Sequence, residues 1–258
     1  MINNSELQRV SSSWLRGFYA IYHKEIAYWF GTHRWINQLM IWMSLAVIPP
    51  LTITPDGTKD RGVAILALFL WSGSNMMSIG TILLAQSTII EEKLTQTLLW
   101  IFSKPLSPAG FILGKFAAYA VLIGVIVLGA PSIVAYIGSM MIGLPAKISV
   151  FNYLAAVWML YLLLLFNLAI AILLGVLFNR TEAVTALSLL IFFSGSSLQS
   201  YPLFKPIEPY TVWALQHNSY ETMAGNFQPT TWLAMISAVG SIGFLLAVST
   251  WWIDRSEL

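Results

Sequence analysis

The chain has 258 residues, of which 57% are hydrophobic and 9% charged, and its formal net charge is +2. Soluble domains carry about 25% charged residues, so this composition excludes an ordinary soluble fold and predicts an all-α polytopic membrane protein, one transmembrane domain over residues 1–258. The absence of cysteine excludes disulfides, thiolate metal sites and cysteine nucleophiles. The net charge of +2 by itself says nothing about nucleic acid, the placement of the charges being what matters, and no nucleic-acid partner is expected.

Residues 1–34 read as a cytosolic and interfacial segment. Their polar start (Asn3, Asn4, Ser5, Glu6) has none of the pattern of a cleavable signal. Trp14, Phe18, Tyr22, Ile26 and Trp29 then recur at helical spacing, while Arg16, His23 and Lys24 fall elsewhere. That pattern predicts an amphipathic helix in the headgroup region. Six apolar runs follow: Trp35–Ile53, Val63–Gln86, Phe116–Ile137, Tyr153–Phe178, Ala183–Leu198 and Trp232–Ile253. None contains Asp, Glu, Lys or Arg, and about 20 residues suffice to cross a hydrocarbon core. Ala183–Leu198 is the shortest. Six transmembrane helices are expected, with both termini on one side.

The distribution of cations chooses that side. With the termini in the cytosol, nine cations lie inside (Arg9, Arg16, Lys24, Arg34, Lys93, Lys104, Lys115, Arg180, Arg255) and four outside (Lys59, Arg61, Lys147, Lys205). The positive-inside rule therefore predicts N-in, C-in. The inner loop Asn179–Glu182 is so tight that the fourth and fifth spans must form a hairpin. The last outer segment, 199–231, is broken by Pro202, Pro206 and Pro209; Thr211–Ala224 can then form a short helix ended by Gly225. A partly re-entrant hairpin over the outer mouth is expected there, with a plain surface loop as the alternative.

Polar residues inside the runs are the pathway candidates: Asn75, Ser78, Asn167, Ser196 and, at the end of its run, Gln199. Such groups more often satisfy one another across helices than contact cargo. An intramembrane serine protease would need a histidine beside its nucleophile, and His217, the only histidine beyond the N-terminal segment, lies in the outer loop. Glu91-Glu92 opens a metalloprotease-like pattern, but Gln96 stands where Arg is required. There is no phosphate-cradling Gly-Lys-Ser/Thr loop. Ion-coupled carriers place charged groups within their spans, and these runs hold none, so active transport would draw its energy from another subunit. An ion-driven secondary transporter is the alternative, and an intramembrane enzyme or scaffold is a more remote one.

The stretch 89–104 carries most of the functional signal. Ile90, Leu94, Leu98 and Ile101 share a face at helical spacing, with Glu91 and Glu92 in the first turn, where the helix dipole favours acids. A helix of this kind between two spans reads as a docking element for a soluble partner. Lys104-Pro105-Leu106-Ser107-Pro108 joins it stiffly to the third span.

Glu91-Glu92-Lys93, Thr97-Leu98-Leu99, Ser103-Lys104-Pro105-Leu106-Ser107 and Gly114-Lys115 together resemble the signature of type-2 ABC exporter permeases, with Gln96 where Gly is common. The resemblance implies a non-catalytic, multi-pass subunit of a bacterial inner (plasma) membrane, working as a dimer of identical or homologous copies in the lipid bilayer. Separate ATPase subunits, holding ATP and Mg, would dock on the coupling helix 89–104 through Glu91, Glu92, Lys93, Thr95, Leu98, Leu99 and Lys104, with Asn179 and Arg180 as a second contact. The implied direction is export. Pathway side chains rich in Ser, Thr, Asn and Met suit an amphiphilic or hydrophobic cargo.

Overall fold

A computed structural model describes residues 14–53, 60–95, 107–143, 148–198 and 201–255, and no strand occurs among them. Five helices are long and apolar enough to cross a membrane: Arg34–Ile53 (α2), Arg61–Leu94 (α3), Pro108–Gly143 (α4), Val150–Leu177 (α5) and Thr230–Arg255 (α8). They are joined by α1 (Trp14–Gly31), α6 (Thr181–Leu198) and α7 (Ala214–Met223). The remaining apolar run of the sequence is α6, whose 18 residues rise about 27 Å at 1.5 Å each, short of a core about 30 Å thick.

Helix α5 is the axis of the bundle. Its sequence is apolar on every side, and 78% of its best apolar window is buried, against 22% for α2 and 28% for α8. A helix hydrophobic all round belongs in a core, and α5 packs against α3, α4, α6, α7 and α8. The helices α2 and α8 keep large apolar side chains exposed, Met40, Leu45, Ile236 and Phe244 among them. That is the character of a surface meeting lipid or another apolar face. Ser149 caps α5, its Oγ accepting from the Phe151 N–H at 3.2 Å.

Three of these helices are not regular. Each of α2, α3 and α4 contains a π-helical segment, at Met43–Val47, Gly73–Met77 and Ile123–Gly129. Two have a proline cause. Pro49 and Pro50 follow the first segment and Pro131 follows the third, and a proline ring displaces the carbonyl four residues earlier while supplying no N–H. The ladder responds by stepping to five-residue spacing, with Ile48 N–H on Met43 O and Ala130 N–H on Val125 O. In α3 the cause is side-chain competition. Ser74 Oγ and Asn75 Nδ2 both donate to Trp71 O, at 2.9 and 2.8 Å, which diverts that carbonyl from the backbone ladder.

Two tyrosines of α5 hold α4 on either side of its π segment. Tyr161 donates to Ala120 O at 3.0 Å and Tyr153 to Ser132 O at 2.8 Å. Helix α4 itself begins at Pro108, well ahead of the apolar run Phe116–Ile137. Ser107 accepts from the Gly110 N–H at 3.1 Å and Pro108 takes the first helical position. This early start carries Lys115 inside the helix. In the segment before α8, α7 is ended by Gly225 at φ 91°, a left-handed turn that suits glycine. Val212, Leu215 and Met223 around it are buried, and α7 packs on α5.

Candidate functional site

At the end of the bundle that the charge bias assigns to the cytosol, α1 lies along the first turns of α4. The contact is close because Gly114 faces it: a Cβ there would sit 3.0 Å from both Ile21 Cβ and Phe18 O. The buried stripe of α1 is Gly17, Ile21, Glu25 and Trp29. This differs by one position from the aromatic stripe expected from Phe18, Tyr22 and Ile26, which are only half-buried. The physical reason is that an acid occupies the buried face with a partner opposite it.

That partner is Lys115. Its Nζ lies 2.7 Å from Glu25 Oε1 and 2.9 Å from Glu92 Oε1, and Lys24 Nζ reaches the same Glu92 oxygen at 2.9 Å. Lys115 is 2% exposed and both glutamates 7%, so these charges are almost wholly out of water. Removing one member of such a cluster leaves an uncompensated buried charge, costing far more than the assembled pair contributes. The balance is even, two ammonium groups against two carboxylates. A cavity of about 320 Å³ opens beside the cluster, with Tyr28 and Glu91 on its wall. Three chain segments therefore meet at one knot of ion pairs: α1, the end of α3 and the start of α4. The sequence pattern gives Glu25 no role, and it marks Lys115 only as an inner cation and as part of a Gly-Lys pair. An acid within an amphipathic stripe, and a lysine ahead of a long apolar run, were the available signals.

The next residue along faces another way. Lys93 Nζ donates to Val176 O at 2.6 Å, Phe178 O at 3.2 Å and Asn179 Oδ1 at 3.3 Å. These acceptors close the C-terminal end of α5 and open the turn to α6. Gln86 Oε1 accepts from Thr185 of α6, a second tie between the end of α3 and that hairpin.

The expected docking residues thus separate by environment. Glu91, Thr95, Asn179 and Arg180 are exposed, as is Leu94 at 71%. Thr95 Oγ1 donates to Glu91 O at 2.8 Å. Glu92 is buried in the ion-pair knot and Lys93 is half-buried against α5. Leu98, Leu99 and Lys104, with the rest of the expected coupling helix 96–104, lie outside the described residues; within them that element is the helical turn Ile90–Leu94.

Among the pathway candidates, Asn75 is half-buried and spends its amide on its own helix, bonding Trp71 O and Ser74 Oγ. Ser78 and Asn167 are buried in the core, and among the described residues the Ser78 Oγ and the Asn167 Nδ2 have no hydrogen-bond partner. Ser196 lines a cavity of about 290 Å³ at the opposite end, with Trp71, Gln216, His217 and Tyr220. Gln199 lies outside the described residues. No group of three or more His, Asp or Glu able to hold a metal occurs among the described residues.

Residues 37–248 match the family model described as ABC-2 family transporter protein. No curated protein matches the chain.

Proposed function

The chain belongs to the ABC-2 transporter family, and on that premise we propose that it is the permease subunit of an exporter, driven by ATPase subunits that dock on the segment beginning at Glu91. Membrane subunits of this family work with ABC ATPases. In this reading the six apolar runs all span the inner membrane of a bacterium with both termini in the cytosol, and α1 lies at the inner interface. Two copies, or one copy and a homologue, enclose the translocation pathway. ATP and Mg belong to the partner ATPase, and this chain contributes no catalytic group.

The observation that carries the proposal is the ion-pair knot of Glu25, Glu92 and Lys115. It fastens the residues beside the exposed Glu91 and Leu94 to both α1 and α4. A push on Glu91, Leu94 and Thr95 is passed directly to the interfacial helix α1 and to α4, which is long and apolar enough to cross the membrane. The same knot argues against the ion-driven alternative. Among the described residues the buried acids are Glu25 and Glu92, and both are paired with lysines at 2.7–2.9 Å.

The test is co-purification of the chain with a candidate ABC ATPase subunit from the same organism, followed by ATPase assays in lipid nanodiscs. Glu91→Ala combined with Leu94→Asp is expected to weaken assembly tenfold or more, the range of a docking hot spot, while leaving the permease folded. Unchanged assembly and unchanged ATPase stimulation would overturn the docking role. Cargo movement by the purified chain with no ATPase present would overturn the subunit assignment.

A further inference from the structure

Glu91, Glu92 and Lys93 are consecutive, and on a helix consecutive residues point about 100° apart. Glu91 faces solvent, Glu92 turns to α1 and α4, and Lys93 turns to the hairpin of α5 and α6. A lysine ammonium has three N–H donors, and here each has an acceptor: Val176 O, Phe178 O and Asn179 Oδ1. The two carbonyls belong to the last turn of the 28-residue helix α5 and the residue that follows it. Such carbonyls have no intrahelical partner and lie at the negative pole of the helix dipole. Lys93 is therefore a cap for α5 supplied from another helix.

Two further contacts fall on the same side. Gln86 is bonded by Thr185, and Ile89 lies so close over Gly175 that a Cβ there would sit 3.3 Å from the Ile89 Cβ. The segment from Gln86 to Lys93 is thus attached to the α5–α6 hairpin at successive heights, by a polar pair, an apolar contact and an ammonium clamp.

We propose that Lys93 is a positioning residue that fuses the Glu91–Thr95 segment and the Asn179–Glu182 turn into one rigid docking body. The inference rests on the docking reading above and extends it. A partner at the inner face meets a composite surface, Glu91, Leu94 and Thr95 on one side with Asn179 and Arg180 on the other. The two loops are displaced together. The core helix α5 is then moved from its end at the same moment as α1 and α4, because Lys93 and Glu92 are neighbours on one turn.

The experiment needs only the permease, so its result is independent of whether an ATPase docks. The natural absence of cysteine allows spin labels at Leu94→Cys and Glu182→Cys in the full chain, reconstituted in lipid nanodiscs. The distance distribution between them is then read by electron paramagnetic resonance. With labelled chains diluted in unlabelled ones so that only pairs within one chain are read, one narrow population is expected for the otherwise unaltered chain. Lys93→Met is expected to widen the distribution about twofold, as local opening replaces the clamp. Asn179→Ala spares the helix cap and removes only the bond to the turn; a smaller widening is expected, which keeps the test readable if Lys93→Met does not assemble. Variants that lower thermal stability but leave the distribution as narrow as before would reduce Lys93 to a helix cap and overturn the proposal. A broad distribution in the unaltered chain would overturn it equally.

Discussion

The helices that end by Gly143 and those that start from Val150 are built on different principles. Helices α2, α3 and α4 each contain a π segment, whereas α5, α6 and α8 are unbroken α-helix. In the first set, prolines or competing side chains have removed bonds from the ladder, and such helices bend with little cost. In the second set the ladder is whole, and 78% of the most apolar window of α5 is buried. The contrast assigns different mechanical characters to two halves of one bundle. The junction at Glu92 and Lys93 gives each half its own handle: Glu92 leads to α1 and α4, Lys93 to α5 and α6.

The largest expected effect comes from breaking the handle on the pliable side. Lys115→Met leaves Glu25 and Glu92 buried, with Lys24 alone to answer them, and should destabilise the chain by about 3–5 kcal/mol in detergent unfolding. Adding Glu25→Gln and Glu92→Gln to that variant should restore most of the loss. A triple variant no more stable than the single one would show that packing, and not charge, holds the contact. Breaking the other handle with Lys93→Met should cost about 1.5–3 kcal/mol, the range for hydrogen bonds to a charged group. Comparing the two variants shows which half depends more on its handle.

The contrast sharpens where the halves touch. Tyr153→Phe removes the bond to Ser132 O and should cost about 1 kcal/mol. Amide hydrogen exchange should then quicken in Ile123–Gly129 and not in α5. Equal quickening in both helices would erase the distinction between them. Glu91→Gln, on an exposed side chain, should change stability by less than about 0.5 kcal/mol. Its effect should show only as lost ATPase stimulation in the assembled complex.

How far these features could be read from the sequence differs by residue. The apolar runs are long and free of charge, so the all-helical membrane class and the helix order follow from composition. Lys115 escapes that reasoning because a charge-free criterion starts the third span just after it. Its partner Glu25 is 90 residues away, a pairing no periodicity displays. The acid on α1 is obscured further by the aromatic residues around it, which draw the expected face one position aside. The missing side chain of Gly114 is what lets that side of α1 lie against α4. The reach of Lys93 to Val176 and Phe178 is a tertiary accident of where α5 ends. The π turns are half-visible: Pro49, Pro50 and Pro131 mark two of them, while Ser74 and Asn75 look in sequence like ordinary polar positions.

The pairing of Glu25 with Lys115 also bears on how the chain is made. A ribosome delivers Glu25 long before Lys115, so during synthesis the first helix must wait, hydrated at the membrane surface, while two hairpin-forming segments insert. Only when the start of α4 emerges can that helix latch. A nascent chain arrested ahead of Lys115 should therefore leave α1 open to protease, and one arrested beyond the α4 segment should protect it. Seating of the first helix becomes a late checkpoint on whether the membrane segments between have inserted correctly.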